Sequence, residues 1–311
     1  MNLCITGALG HIGSSLIRNL PKKTFERIYL VDNLLTQRYA SLFDLPSGFN
    51  FRFRPLSILD DQVEKIIKVS DIIVHLAAVT DAETSFSKRA EVNTVNKKGL
   101  NHVARLCSHY HRALIFPSTT SVYGVQKGVV DETCEEKDLQ PQSPYAESKL
   151  YGEKFLSTLA RSSNLPFTIL RFGTIVGYST GMRFHTAANK FIWQAVFNQP
   201  ITVWKTALHQ QRPYCALDDC VRAINWIITK KIFAGDIYNI ITANLTVSDI
   251  LKTIQLYIPT IKVQFVDSPI MNQLSYTVSN SRSRQLGFRY HGNIPAAIQE
   301  TVQKLRKAYA L

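Results

Sequence analysis

One stretch, residues 2–20, constrains this chain more than any other. Leu3-Cys4-Ile5-Thr6 is a short apolar run of β type. It leads into Gly7, Gly10 and Gly13, spaced three apart, and then into Ser14-Ser15-Leu16-Ile17-Arg18-Asn19-Leu20 with apolar residues at helical spacing. A strand, a glycine turn and a helix in that order build a seat for a phosphate. The glycines let the backbone turn tightly and approach the anion, and the helix start offers unpaired N–H groups and a positive dipole end. Asp32 closes a second apolar run, Ile28-Tyr29-Leu30-Val31, 19 positions beyond Gly13. A carboxylate there accepts hydrogen bonds from both hydroxyls of an adenosine ribose and repels a 2′-phosphate. A glycine turn alone would read as packing; with these flanking elements it predicts a site for NAD rather than NADP.

The 311 residues suffice for one large or two modest domains. With 45% hydrophobic and 19% charged residues, the composition is that of a folded globular protein. No apolar run approaches the ~18 residues of a membrane span, and the first strand starts at residue 2, so we expect neither a span nor a leader peptide. The five cysteines, 4, 107, 134, 215 and 220, are odd in number and form no Cys-x-x-Cys or zinc spacing. They read as thiols in a reducing, cytoplasmic protein, and no metal site is expected. The net charge of +13 suits an anionic partner or substrate. No block of five like charges and no basic patch interleaved with aromatics accompanies it, so nucleic acid is not the expected partner.

Short apolar runs at 2–6, 27–31, 49–54, 71–76, 112–117 and 166–171 alternate with helical patterns at 11–20, 60–68, 85–109 and 144–163. Strands alternating with helices predict an α/β fold: a Rossmann-type, doubly wound parallel sheet with right-handed crossovers. The runs are continuously apolar, as strands buried on both faces should be. After Gly177 the rhythm breaks. Residues 178–183 read as a loop, with helices at 186–198, 218–230, 246–257 and 295–309 and one further buried strand at 235–241. We expect an NAD-binding domain over 1–177, with 215–243 packing back onto it. A smaller, mostly C-terminal α/β substrate lobe should comprise 178–214 and 244–311, with the ligand site in the cleft between.

Two stretches carry candidate chemistry. Phe116-Pro117-Ser118-Thr119-Thr120-Ser121-Val122-Tyr123-Gly124 ends the fifth strand, where hydroxyls point to the ligand side of a parallel sheet. Ser143-Pro144-Tyr145-Ala146-Glu147-Ser148-Lys149 opens a helix, placing Tyr145 and Lys149 four apart on one face. A nearby ammonium stabilises tyrosinate and lowers the phenol's pKa, which makes Tyr145 a usable acid and base, with Thr119 holding a substrate oxygen beside it. Among 13 tyrosines a Tyr-x-x-x-Lys is weak alone; its position after a nucleotide-binding half gives it weight. His75 reads as structural, and Asp218 and Asp219 as caps of the following helix.

Together these residues resemble the extended short-chain dehydrogenases/reductases, the group of NAD-dependent nucleotide-sugar epimerases and dehydratases. The resemblance spans essentially the whole chain. It rests on Thr6-Gly7-x-x-Gly10-x-x-Gly13, Asp32-Asn33-Leu34, His75-Leu76-Ala77-Ala78, Asn96-x-x-Gly99, Ser118-Thr119 with Tyr123-Gly124, Tyr145-x-x-x-Lys149, Arg171 and Arg212-x-Tyr214-x-x-Leu217-Asp218-Asp219. It implies a cofactor site of Gly7, Gly10, His11, Ile12, Gly13, Asp32, Asn33, Ser57, Ile58, Leu76, Ala77, Ala78, Asn96, Tyr145 and Lys149. It implies Tyr145 as catalytic base with Thr119 and Lys149, and substrate contacts at Thr80, Thr119, Thr174, Asn189, Arg212 and Asn272. It also implies a homodimer through helices 85–109 and 144–163.

The positions after Thr119 narrow the reaction. Sugar dehydratases and nucleotide-sugar decarboxylases of this group place an acid there, whereas this chain has Thr120 and Ser121, neither of which is an acid near neutral pH. What remains is similar to the UDP-glucose/UDP-galactose 4-epimerase pattern: oxidation to a keto-sugar and return of the hydride. A net keto-sugar reductase or dehydrogenase uses the same residues, and a non-catalytic NAD- or RNA-binding protein on this scaffold is a third reading. Three departures stand out: Ser57 where the group usually has Asp, Thr174 where it has Asn, and Met271-Asn272-Gln273-Leu274 without the usual second phosphate-binding Arg.

Overall fold

The structure, a computed structural model, describes residues 1–126, 128–267 and 275–308. Its centre is a seven-stranded sheet of β1 (Asn2–Thr6), β2 (Arg27–Val31), β3 (Phe51–Arg54), β4 (Ile72–His75), β5 (Ala113–Thr119), β6 (Phe167–Phe172) and a late strand, Ala234–Ile240. The spatial order is late strand-β6-β5-β4-β1-β2-β3, and every pairing is parallel. Connections run outward from β1 in both directions, so the strand order reverses beside β1 and opens a crevice at the carboxyl ends. This is the doubly wound Rossmann-type architecture that the alternating pattern predicts.

Alternation along each strand divides the apolar residues between two layers. Leu3, Ile5, Ile28, Leu30, Ile72 and Val74 pack on one face, together with Leu16, Ile17, Cys220 and Ile224 from two helices. Cys4, Tyr29, Val31, Ile73, Leu114 and Phe116 pack on the other, against Ile67, Val103, Cys107 and Leu156. The helices are α1 (His11–Arg18), α2 (Val63–Val69), α3 (Leu100–His109) and α4 (Pro144–Ser163).

The expected helix over 85–109 is broken. A short turn at Thr84–Phe86 and one at Arg89–Val92 lead into a wider π-type turn, Asn93–Gly99, before α3 becomes regular. The wide turn faces Asn96 inward, where its Oδ1 accepts from Val79 N at 2.8 Å and its Nδ2 donates to Val79 O at 3.0 Å and Ser148 Oγ at 2.9 Å. The segment thus ties the loop after β4 to α4, and regular helical hydrogen bonding yields to that tie.

Beyond β6 come β7 (Thr174–Val176), α5 (Ala187–Val196), β8 (Ile201–Trp204), β9 (Gln211–Ala216) and α6 (Leu217–Lys230). The late strand of the large sheet follows as β10, then β11 (Ala243–Thr246), α7 (Val247–Tyr257), β12 (Val263–Val266) and α8 (Ile294–Ala308). Strand β9 lies between β11 (antiparallel) and β7 (parallel), and β8 pairs with β12. Apart from β8 these short strands carry no clear alternation or continuous apolar run, so periodicity did not mark them. Strand β9 joins two cores: Cys215 packs with the large sheet, while Tyr214 and Ala216 pack with α5, α7 and α8. Asp219 does not cap α6, as the sequence suggested. It is fully buried, accepting from His291 N and Gly292 N at 2.9 and 2.8 Å and from Thr242 Oγ1 at 2.7 Å, and so pins three segments together.

Candidate active site

A cavity of about 1030 Å³ runs from the carboxyl ends of the sheet to the second core. It exceeds the ~300–1,000 Å³ of an ordinary small-ligand pocket, leaving room for a dinucleotide and a second ligand. Gly7 forms its floor. Its φ of +65° is left-handed, and a Cβ there would lie 2.6 Å from Ala77 N, so neither the conformation nor the space admits another residue. Gly10, His11, Ile12 and Gly13 line the wall at the start of α1. No side chain caps that helix start, so its first N–H groups remain available to an anion.

Further along, the Asp32 carboxylate accepts from Leu9 N at 3.1 Å and Leu34 N at 2.9 Å. These bonds fix its orientation at the cavity edge, with further lone pairs free for hydroxyl donors. Asn33, Ser57 and Ile58 continue this wall, and Leu76, Ala77 and Ala78 follow the end of β4. The residues present therefore fit NAD: an uncapped helix start at the glycine turn, a held carboxylate at the end of β2, and an apolar strip at the end of β4.

The opposite end holds the reactive groups. Ser143 caps α4 by accepting from Ala146 N at 3.2 Å, Pro144 occupies the first turn, and Asn164 ends the helix in the left-handed region at φ 52°. This fixes the register in which Tyr145 and Lys149 share the cavity face. Tyr145, Lys149, Thr119 and Ser121 all line the cavity. Burial pushes the Tyr145 phenol up to about 12, and a hydrogen bond with Thr119 draws it back in part. The expected lowering is thus not produced by the surrounding side chains. Lys149 turns its Nζ to Pro117 O at 2.7 Å and lies 4.6 Å over the Phe116 ring. Burial pulls its ammonium down to about 8, while Glu153 pulls it up.

Glu153 continues the row one turn beyond Lys149. It is buried, receives Arg171 Nη2 at 2.6 Å and Nε at 3.0 and 3.2 Å, and accepts from Ser118 Oγ at 2.5 Å. Arg171 Nη1 also donates to Tyr123 Oη at 2.9 Å, which donates to Asn239 Oδ1 at 3.0 Å. A neutralised ion pair therefore backs the reactive lysine. His75 is structural in geometry: its Nδ1 is 2.9 Å from Thr6 Oγ1, and burial first, then Lys149, hold it neutral at about 3.

Of the proposed substrate contacts, Thr80, Thr119, Thr174 and Arg212 line the cavity. Arg212 Nη2 donates to Gln210 Oε1 at 3.1 Å, and its shielded Nε has no hydrogen-bond partner among the described residues. Two sequence-assigned residues do not reach the wall. Asn96 is spent on Val79 and Ser148 as described, and Asn189, buried between Gly177 N and Ile175 O at 3.4 Å each, braces backbone. Asn272 lies outside the described residues, as does the rest of 271–274. Arg282 pairs with Asp236 away from the cavity. Arg38, Arg183 and His185 also line it; each stands in a loop without periodicity, so no sequence pattern marked them. No group of metal-ligating side chains occurs among the described residues, and none of their helices is long and apolar enough to cross a membrane.

A Rossmann-type sheet, a Gly-x-x-Gly-x-x-Gly turn and a Tyr-x-x-x-Lys helix facing one cavity define the extended short-chain dehydrogenase/reductase class. Within it, the chain belongs to the NAD dependent epimerase/dehydratase family, whose sequence model matches residues 3–240. It is 29% identical over 247 residues to a Bacillus subtilis protein described as an uncharacterized UDP-glucose epimerase, covering 77% of this chain and 76% of that one. It is 29% identical over 326 residues to the Bos taurus dTDP-D-glucose 4,6-dehydratase, covering 98% and 88%. The crystal structure of the Bacillus cereus UDP-glucuronic acid 4-epimerase, in complex with UDP-glucuronic acid and NAD, superposes with a TM-score of 0.89. That match has 26% identity and covers 99% of this chain and 100% of that one.

Proposed function

We propose that this chain is an NAD-dependent epimerase that inverts C4 of a UDP-linked sugar through a transient 4-keto-sugar. The observation that carries the reading is the side-chain set at the end of β5. Thr119 and Ser121 line the cavity beside Tyr145, while Thr120 turns to Tyr276 Oη at 3.4 Å. Among the described residues, the carboxylates on the cavity wall come from Asp32 and from Asp81, Glu83 and Glu91, none from 118–121. The acid that a dehydratase needs to expel water is therefore missing where the dehydratases of this family carry it. The UDP handle is supported by the neighbouring epimerase structure, and Arg212 offers a cation for a phosphate.

Bound along the glycine wall, NAD supplies the hydride acceptor and a positive nicotinamide ring. Tyr145 removes the hydroxyl proton as the carbon loses its hydride, and Thr119 holds the same oxygen. Burial alone keeps the phenol protonated, and the positive ring of a bound cofactor together with the Lys149 ammonium would favour the tyrosinate. Tyr145 would then return the proton to the same oxygen, with the hydride supplied by the bound cofactor to the opposite face of the turned keto-sugar. Gly7, Gly10, Gly13 and Asp32 seat the cofactor. The same reading places the NAD-binding unit at 1–177 with 215–243 returning to it. It places a homodimer interface on α3 and α4, where Tyr151 and Phe155 stack at 6.1 Å and stay partly exposed. The five free cysteines, four of them buried, support a reducing, cytoplasmic location within the same reading.

The test is to incubate purified protein with a panel of UDP-sugars and follow the C4 configuration by NMR. Epimerisation without net NADH, lost in Tyr145→Phe, supports the proposal. Stoichiometric NADH formation or consumption, or no turnover of any UDP-sugar, overturns it.

A further inference from the structure

Four side chains that the reaction above does not use meet over the start of α1. Arg38 comes from the loop after β2, and its Nη1 stands 3.5 Å from where a Cβ on Gly10 would be. Arg183 and His185 come from the loop that follows β7, and His11 is in the glycine turn itself. All four line the cavity. His11 Nε2, Arg38 Nη2 and His185 Nδ1 are shielded from solvent and have no hydrogen-bond partner among the described residues. Shielded polar atoms without partners are costly to a fold, so three gathered here mark a ligand's position.

The loop bearing Arg183 is docked on the glycine turn. Gly181 N donates to Ser14 Oγ at 3.0 Å, and a Cβ on Gly181 would run into the carbonyls of Leu9 and Gly10. Arg183 Nη2 donates to Thr80 Oγ1 at 2.6 Å, which holds its guanidinium at the cavity wall, near enough to Arg38 for the two charges to interact. Burial, His185, Arg38 and Arg183 keep His11 neutral at about 3; burial and Arg183 do the same for His185, at about 4, against Asp81. Arg38 faces Asp32 and Arg183 faces Asp81 as well, so neither cation stands without a carboxylate nearby.

We propose that Arg38 and Arg183, from two separate loops, close over the cofactor's pyrophosphate as a two-cation clasp, with His11 and His185 as hydrogen-bonding partners. Two fixed positive charges match the two negative charges of a diphosphate, and the imidazoles of His11 and His185 offer ring nitrogens for further hydrogen bonds. The uncapped start of α1 and the two arginines would both hold that diphosphate. Because the Arg183 loop is pinned to Ser14, releasing the cofactor requires that loop to lift. The clasp thereby slows release of the dinucleotide. This inference rests on NAD binding at the glycine turn, not on the sugar chemistry proposed above. A substrate diphosphate is the alternative source of the same chemistry, but docking of the loop on the glycine turn favours the cofactor's.

Calorimetric titration with ADP-ribose, adenosine and UDP separates the two. ADP-ribose carries the pyrophosphate without the nicotinamide, and adenosine carries neither phosphate. In Arg38→Gln and Arg183→Gln, each folded by circular dichroism, we expect ADP-ribose affinity to fall roughly tenfold or more while adenosine affinity stays within about twofold. NAD carried through gel filtration by the wild type should be lost from both variants. ADP-ribose affinity unchanged in both variants overturns the clasp. So does Arg183→Gln weakening UDP but not ADP-ribose, which would assign that residue to the substrate. Wild type that binds neither ADP-ribose nor NAD would instead overturn the cofactor site itself. Should either Gln variant fail to fold, the wild type still decides: ADP-ribose binding must weaken with salt far more than adenosine binding.

Discussion

Lys149 is where stability and function pull apart. Burial lowers its ammonium from the ordinary 10.5 to about 8 even though Glu153 opposes that shift. At about 1.36 kcal/mol per unit, keeping this lysine protonated costs the fold about 3 kcal/mol. The folded value lies below the unfolded one, so between about 8 and 10.5 the unfolded chain binds more protons and stability rises with pH. Below about 8 the full cost is present. Lys149→Met removes the titration and its cost, but leaves Pro117 O without its donor at 2.7 Å, a loss of about 1–3 kcal/mol. Near neutral pH the variant should therefore range from unchanged to about 2 kcal/mol more stable, with turnover lost. The cleaner quantity is the difference between the two proteins in urea unfolding. Wild type should gain about 2.5 kcal/mol on the variant between about pH 7 and about pH 10. A difference that stays flat over that range would refute the account of Lys149 as a buried, protonated side chain.

Other substitutions test the remaining parts. Tyr145→Phe should lower kcat roughly 10²- to 10⁴-fold with cofactor binding retained, measured by steady-state kinetics and NAD content. Gly7→Ala adds left-handed strain of about 1–2 kcal/mol to a Cβ 2.6 Å from Ala77 N; thermal melting should fall and NAD should be lost. Glu153→Gln leaves the buried Arg171 without its carboxylate partner and should cost about 3–5 kcal/mol in denaturant unfolding. Pairing it with Arg171→Met should recover most of that loss, and no recovery would mean that the pair is not what the single variant breaks.

The large sheet was legible because its strands are covered on both faces. Each must be apolar throughout, and a run such as Ile72-Ile73-Val74-His75 carries the signal in a few residues. The Tyr145/Lys149 face was legible because a Ser-Pro start and helical spacing define it locally. Asn96 was not, because its role depends on the wide turn at Asn93–Gly99 and on Val79, a contact between distant positions. Strands β7, β9 and β11 were invisible for a related reason: they are short and mixed in polarity, and they exist through pairing rather than pattern. The sign of the Tyr145 shift also escaped the sequence. Spacing places an ammonium on the same face, but it cannot reveal that Pro117 O holds that ammonium or that burial dominates.

The most direct test of the central claim follows a label on the carbon that is oxidised. A UDP-sugar deuterated at C4 is incubated with the purified protein, and the product is read by NMR and mass spectrometry. The account predicts inverted configuration at C4 with the deuterium still on that carbon, because the hydride leaves and returns within one site. Deuterium lost to water, deuterium accumulated in free NADH, or loss of the C6 oxygen would each contradict it.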